Sequence, residues 1–500
     1  MQVAWKSIGA IVALMLTTSL TGTYAQTNPN AESLSGAATA SSASTPARLN
    51  LLQCIEIAQQ NNITVRQGQL TVANSDLQLH QSRLNLLPTT SFQTNQGING
   101  GYSINPQSNA FVQQTIHSSN YQLNASFTVY NGMVLRNTVK QNELTLQASQ
   151  QELNATKNNV SLTVAQNYLN VLTGTEQLAV ARRQAEVTQA QLDRMQRLVS
   201  AGSAPEANLY ELRATLASNQ VDIVTAQNTV DLAKVALLQS MNVPINQDFE
   251  VEPVNVPDPG LDPYTASVQQ LYDVASSTLP EIKGADMRVK SAMLGVQVAK
   301  GGLYPTLSLN AGLSTIYSSA ATKSTPNGQT IQQTLGYFTD PNGNNLPVYT
   351  NSPQYDRLGV SYGNQLKNNF SQSASLFLRV PIFQGNLSRN RVTTAKIQQQ
   401  TAELTAQNTR LVLRQQIETA YTNMRAAANK YRATQVQVSS LEKAFEVAES
   451  RLNAGAINAT DYTIAKTNLD RARASLVQTK YDYVFRTKIL DYYQNKPLSF

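Results

Sequence analysis

Hydrophobic residues along the chain keep a seven-residue period over long stretches and a two-residue period in short ones between them. Val164, Val171, Leu178, Ala185, Leu192 and Val199 hold the first period, and Ile417, Met424, Tyr431, Val438, Phe445 and Leu452 hold it again. A stripe of this kind is a coiled-coil seam, because seven residues nearly complete two helical turns. From Met133 to Val199 there is no proline and only one glycine, Gly174. The spacing therefore predicts one helix on the order of 100 Å long, at about 1.5 Å per residue. The period resumes at Leu209, Leu216, Ile223, Val230 and Leu237, and in parallel at Tyr462, Leu469, Leu476, Tyr483 and Leu490. Two antiparallel helical hairpins follow, with tips at Ala201-Gly202-Ser203-Ala204-Pro205 and Ala454-Gly455-Ala456-Ile457-Asn458. Gly202 and Gly455 suit the left-handed position that ends a helix, and Pro205 suits the start of the next.

Strict alternation replaces the heptads elsewhere. Tyr121, Leu123, Ala125, Phe127 and Val129 alternate with Gln122, Asn124, Ser126 and Thr128. Leu307, Leu309, Ala311 and Leu313 alternate with small polar residues, as do Leu376, Leu378, Val380 and Ile382 with Ser375, Phe377, Arg379 and Pro381; residues 89–97 follow the pattern weakly. One apolar and one small-polar face fit the wall of an outer-membrane barrel, and a half-buried soluble sheet satisfies the same alternation. Long loops are expected on one side only, at 98–119 and 319–369. Four strands do not close a barrel and open edges are not tolerated in lipid, so several chains must share one wall.

The whole pattern is written twice. Tyr130-Asn131-Gly132 is answered by Phe383-Gln384-Gly385, and the Gly202 tip by the Gly455 tip, at an offset of 253 residues. Leu87-Pro88 recurs as Tyr304-Pro305 and Gln53–Ala58 as Gln270–Ala275 at an offset of 217, so an insertion of 36 residues separates the copies. A unit this long is a half-domain rather than a solenoid turn. The first repeat is expected over 49–241, with helices 49–87, 132–201 and 205–241 and strands near 89–97 and 120–130. The second is expected over 264–495, with helices 265–303, 385–454 and 457–494 and strands near 305–317 and 370–383. A proline-rich linker, 242–263, joins them, and 496–500 form a tail. Pro88, Pro305 and Pro381 mark junctions between helix and strand. The leading helix and the helix after each tip together match the length of the long one, so each copy predicts two parallel pillars.

Composition adds an address and removes several chemistries. Lys6, the uncharged run Ser7–Leu20 and Thr23-Tyr24-Ala25 read as a secretory signal peptide, residues 1–25, cleaved after Ala25. Residues 26–48 read as a disordered leader. Without Lys6 there are 37 basic and 31 acidic residues, spread along the helices; nucleic acid is not an expected partner. Cys54 is the only cysteine, read as a small residue on a packed helix face. His80 and His117 are the only histidines, and neither has a second ligand at metal spacing. No phosphate-binding glycine motif is present. The chain is expected to be no enzyme and to carry no cofactor or metal.

The order helix, strand, strand, long helix, tip, helix, duplicated, resembles the TolC family of outer-membrane efflux and secretion channels over about residues 49–495. The most specific elements are the Leu-Pro and Tyr-Pro junctions at Pro88 and Pro305, Val380-Pro381-Ile382-Phe383-Gln384-Gly385, and Arg451-x-x-x-Gly455 with Asp461 after the second tip. The resemblance implies a mainly α fold with a transmembrane β-barrel part: a homotrimer whose twelve strands form a barrel in outer-membrane lipid, continued by a periplasmic α-barrel of twelve helices. It implies a channel of a tripartite efflux or type I secretion system, with a periplasmic adaptor (membrane fusion) protein and an inner-membrane pump of RND, ABC or MFS type as partners. It places gating and adaptor docking at the tips, on Arg197, Gly202, Pro205, Arg451, Gly455 and Asp461, and the 242–263 linker in a belt around the helices. A second acidic position of the family pattern falls on Ile464, and the first copy carries Leu198 where the second has Arg451. A soluble periplasmic coiled-coil adaptor or scaffold is the alternative reading; it leaves the strands and the second full copy unexplained.

Overall fold

The computed structural model describes residues 47–104, 111–244, 249–252 and 266–496. The expected signal peptide, the leader up to residue 46, most of the 242–263 linker and the tail from 497 lie outside the described residues. Elements follow in the order β1 (Ala47–Leu49), α1 (Leu51–Asn61), α2 (Ile63–Leu84), β2 (Thr89–Ile104), β3 (Phe111–Asn131), α3 (Val134–Ser200), α4 (Glu206–Met241) and β4 (Phe249–Val251). They continue with α5 (Val268–Thr278), α6 (Pro280–Gly301), β5 (Thr306–Ser318), β6 (Thr322–Thr339), β7 (Asn345–Gly359), α7 (Tyr362–Asn368), β8 (Ser371–Arg379), α8 (Leu387–Asn453) and α9 (Ala459–Tyr493). The described residues divide into two compact units, one within 81–138 and 297–392 and one within 47–80, 139–296 and 393–496.

The second unit is helical, and its two halves repeat in detail. Asn50 and Gln53 form a capping box at the start of α1, and Ser267 and Gln270 form the same box at α5. In each, two otherwise unpaired backbone N–H groups are satisfied by exchanged side chains. The core of the first half packs Cys54 and Ala58 of α1 on Val164, Tyr168 and Val171 of α3 and on Leu237 and Met241 of α4. That of the second packs Leu271 and Ala275 of α5 on Ile417 and Met424 of α8 and Leu490 of α9. Cys54 and Leu271, Val164 and Ile417, and Leu237 and Leu490 are repeat equivalents, and all six are fully buried. Burial pushes the Cys54 thiol up to about 11, which leaves it protonated and inert. α4 ends on Asn242 in the left-handed region, φ 55°, with its own N–H donating to Gln239 O and that of Val243 to Leu238 O. α9 ends the same way on Asn495.

Several expectations are corrected here. The leading helix 49–87 is broken at Asn62, whose ψ is 130°; its side-chain amide donates to Ser240 O at 3.0 Å and accepts from Thr64 N at 2.9 Å. The Asn62 side chain thus takes the Thr64 N–H and ties the break to the end of α4. The helix 265–303 is broken at Leu279, ψ 134°, because Pro280 lacks an N–H and forces its predecessor out of the helical region. The leader expected to be disordered to residue 48 is structured from residue 47, since β1 pairs in parallel with β4, which lies in the extended linker, and Tyr168 Oη donates to Glu252 O at 2.9 Å. The loop 98–119 is largely strand: β2 and β3 stay paired out to Ile104 and Phe111. The loop 319–369 is a two-stranded ribbon, β6 with β7, followed by α7. Its alternation is hidden in the sequence by irregular pairing between Pro326 and Thr330 and between Thr334 and Gly336. The last strand stops at Arg379 rather than 383, two residues before Pro381.

The first unit is built on one antiparallel sheet of order β2-β3-β5-β8. Both outer edges, on β2 and β8, lack a partner strand among the described residues. At the end of β5, α7 is fixed by buried Gln365, which accepts from Ser318 N at 2.9 Å and donates to Ser318 O at 3.0 Å.

Candidate functional site

Two places in the chain concentrate what the sequence singled out. The first is the sheet. Across it, Ala125, Ala311 and Ala374 stand in one row, and Phe127, Leu309 and Leu376 in the next but one. Between them lies the row Ser126, Asn310 and Ser375, and on the other side of the Ala125 row lies Ser91, Asn124, Gly312 and Ser373, both rows of small residues that are mostly polar. Since neighbours along a strand point to opposite faces, register collects the polar residues on one face and the apolar ones on the other. Ser126 Oγ donates to Asn310 Oδ1 at 2.9 Å on the polar face. A Cβ on Gly312 would come within 3.0 Å of Ser373 Oγ, so this position is closely packed. Aromatic residues flank the apolar band. Tyr121, Tyr317 and Tyr362 cluster at one end, with the Tyr317 and Tyr362 rings 4.6 Å apart and the Tyr121 and Tyr362 hydroxyls 2.8 Å apart; Tyr130, Tyr304 and Phe383 mark the other. Pro88 directly precedes β2 and Pro305 directly precedes β5, whereas Pro381 follows β8 and lines a cavity of about 170 Å³.

The second place is the pair of hairpin tips. Gly202 (φ 70°) and Gly455 (φ 73°) occupy the left-handed region. At each, the glycine N–H bonds back three residues, to Val199 O or Leu452 O at 3.0 Å. The next N–H bonds back five, Ser203 to Leu198 O at 2.8 Å and Ala456 to Arg451 O at 2.9 Å. A side chain there would carry a left-handed strain of about 1–2 kcal/mol. Pro205 is the N-cap of α4, and Asn458 caps α9 by accepting from Asp461 N at 2.8 Å. Arg197 and Arg451 lie in the last turns of the incoming helices, and Glu206 and Asp461 in the first turns of the outgoing ones. These placements suit the helix dipole. Arg197, Gly202, Pro205, Arg451, Gly455 and Asp461 are all exposed. The tips therefore have ordinary helix-end chemistry with free, charged outer faces.

What joins the two hairpins was not singled out in the sequence. Gln191 Nε2 of α3 donates to Tyr462 Oη of α9, and Thr460 Oγ1 donates to Glu211 Oε2 of α4 at 3.1 Å. Tyr462 is buried, its ring 5.3 Å from Phe445. Burial raises its pKa, with the charge of Glu449 adding to the shift, so its hydroxyl stays protonated. One turn on, Lys466 is buried in an ion pair with Asp470 at 2.8 Å. The signal was present in the heptads. The first tip closes on Leu192, Leu209 and Leu212, and the second puts Phe445, Tyr462 and Ala465 in the equivalent places. A seam position that changes from Leu to Tyr between copies gains a polar tip, and here that tip reaches the other copy.

Among the described residues no cluster of His, Cys, Asp and Glu could hold a metal ion, and no helix is long and apolar enough to cross a membrane. The comparisons with known proteins agree with one another. Outer membrane protein TolC of Escherichia coli is 22% identical over 442 residues, covering 87% of this chain and 80% of that protein. Among solved structures, CusC superposes with a TM-score of 0.70 at 17% identity, covering 93% of this chain and 96% of CusC. The outer membrane protein VceC of Vibrio cholerae superposes with 0.67 at 15% identity, covering 90% and 97%. These likenesses fix the fold. The sequence profile of the outer membrane efflux proteins matches residues 54–243 and 271–487, and the chain belongs to that family.

Proposed function

We propose that three copies of this chain form one outer-membrane channel, passively conducting substrate that an inner-membrane pump and a periplasmic adaptor deliver. Twelve strands would close the barrel and twelve helical pillars would continue it through the periplasm. The observation that carries this reading is the register of the sheet. An antiparallel sheet of four strands, β2-β3-β5-β8, presents edges running in opposite directions. Copies can therefore join β8 to β2 in the antiparallel sense without a break. The nine steps from Tyr121 to Tyr130 span about 30 Å at roughly 3.4 Å each, and a tilt of about 40° reduces that to about 23 Å, close to the apolar band of an outer-membrane barrel of about 25 Å. Aromatic girdles at both ends and a small-polar inner face complete the correspondence.

Energy for transport would come from the pump, of RND, ABC or MFS type, since no nucleotide motif is present in the chain. The adaptor would dock on 197–209 and 450–464, where the exposed charges and left-handed glycines lie. Reconstitution in planar bilayers is the test. The protein should require detergent for extraction and show discrete conductance steps, and Arg451→Glu and Asp461→Arg should each change the resting conductance. Unchanged conductance in both variants removes these residues from the gate. A protein that salt washing releases and that passes no current is no channel.

A further inference from the structure

Charged residues are spread along the chain, but their surplus is not. Segments 81–138 and 297–392, which make up the first unit, hold nine basic residues and two acidic ones, a surplus equal to the net charge of +7 of the whole chain. Both acids, Asp340 and Asp356, lie on the β6–β7 ribbon with Lys323 and Arg357, and Lys367 follows on α7. That end of the sheet therefore carries a surplus of one. The other six basic residues, Arg83, Arg136, Lys300, Arg379, Arg389 and Arg391, lie at the opposite end, where Pro88, Pro305 and Pro381 join sheet to helix, and no acid of the unit accompanies them.

Contacts at the junction bring three of the six together. Gly132, just before α3, sits so close to the end of α6 that a Cβ there would lie 2.3 Å from Gly301 O, and Ser388 Oγ at the start of α8 donates to Gly302 O at 3.3 Å. Arg136, Lys300 and Arg389 stand within four residues of these contacts. Arg379 ends β8 in register with Thr306, and Arg83 lies in the last turn of α2 as Lys300 does in that of α6. All six are exposed. Among the described residues Arg83, Arg136, Lys300, Arg379 and Arg391 form no ion pair, whereas Arg288 and Arg410 further along the helices are paired with Glu152 and Asp286. Two of the basic positions are kept in both copies, Arg83 with Lys300 at the offset of 217 and Arg136 with Arg389 at 253. So is the aromatic residue six places before each of the latter, Tyr130 and Phe383, although the neighbouring Leu84 and Leu387 correspond to Gly301 and Val134. Charge and aromatic ring persist here where packing residues have changed.

We infer that this junction binds the phosphate groups of anionic phospholipids in the periplasmic leaflet of the outer membrane. This rests on the reading of the sheet as a barrel wall, and it adds a lipid class and a leaflet. An aromatic ring at the end of an apolar band sits at headgroup level, and an Arg or Lys beyond it lays its stem along the acyl chains and its charge on the phosphate. Phe383, 82% exposed, lines the cavity of about 170 Å³ with Ile382, Leu387, Ser388 and Arg389, so an apolar wall adjoins a hydroxyl and a cation. Attraction to an anionic leaflet acts within about a Debye length, about 8 Å at physiological salt, so only cations at the headgroups take part. A surplus of six at this end against one at the other selects the periplasmic leaflet over the outer one.

The test exposes the full-length protein in detergent to an equimolar mixture of phosphatidylglycerol and phosphatidylcholine, and native mass spectrometry counts the lipids retained. Phosphatidylglycerol should be favoured by about fivefold or more, and less so as salt is raised. Combining Arg83→Gln, Arg136→Gln, Lys300→Gln and Arg389→Gln should abolish the preference. Combining Arg83→Lys, Arg136→Lys and Arg389→Lys should keep it, as should Lys323→Gln with Arg357→Gln and Lys367→Gln at the other end. Equal retention of the two lipids by the parent, undiminished preference in the quadruple variant, or equal loss in the variant of the other end overturns the site. Displacement of the lipid by inorganic phosphate at matched concentration overturns it as well, in favour of a site for free anions. Should the quadruple variant fail to fold, the salt dependence of the parent and the variant of the other end decide between the same outcomes. Bilayer conductance is read separately: current steps without lipid preference leave the channel reading standing, and a protein that needs no detergent and passes no current removes both.

Discussion

Single residues in this chain answer to their neighbours more than to their type, and Glu281 shows it. It lies in the first turn of α6, where an acid is welcome to the helix dipole, yet burial raises its pKa above the ordinary carboxylate value. The phenols of Tyr492 and Tyr493 belong to the same surroundings. Burial, and then the charge of Glu281, push both upward, Tyr493 to about 12. A carboxyl whose folded pKa is raised binds its proton more tightly in the folded state than in the unfolded one. Stability from this group is then full below about pH 4.3, the ordinary Glu value, and falls as pH rises through the folded pKa. Glu281→Gln should therefore leave the melting temperature at low pH nearly unchanged and raise it at neutral pH. Thermal melts of both proteins across that range give the answer; parallel curves would show that Glu281 is solvated like any surface acid.

At the scale of elements, periodicity carried the long helices because a heptad over 67 residues leaves no competing pattern. It carried the sheet because β3, β5 and β8 alternate cleanly. It failed wherever one local residue outweighed the period. Pro280 ends α5 in the middle of an apolar stripe, and Asn62 does the same with its side-chain amide. The β6–β7 ribbon was illegible for a different reason. Its strands carry apolar residues on both faces, Phe338 opposite Leu346 and Tyr337 opposite Pro347, so no face stands out. The tips were legible as glycine-punctuated turns, whereas the bonds between them depend on which heptad positions meet across copies. The ribbon contributes no strand to the four-stranded sheet, and its base is already closed by the bond from Val360 N to Ala321 O at 3.2 Å. Because β5 pairs with β8 without it, replacing 322–359 by two glycines should leave oligomer and conductance intact. Native gels and bilayer recordings would show this, and loss of the oligomer would make the ribbon part of the assembly.

For the whole molecule, if the proposed channel opens at its tips, it has to separate hairpins that the structure ties together, so the ties would set the cost. The bonds from Gln191 to Tyr462 and from Thr460 to Glu211 are neutral donors meeting a phenol and a carboxylate. Neither involves the exposed side chains of Arg451 and Asp461. In the proposed channel these polar bonds would have a part in closure separate from that of the gate charges. Tyr462→Phe separates the two roles. It keeps the ring against Phe445 and removes only the hydroxyl, so packing persists while one hydrogen bond of about 1 kcal/mol is lost. That shifts the closed-to-open equilibrium by roughly fivefold for each copy that must release. Resting conductance in bilayers should rise in Tyr462→Phe without any change in single-channel size, and Thr460→Val should add to it. If open probability stays at the parent level in both variants, the hairpins move together when the channel opens, and closure is set by contacts between copies instead.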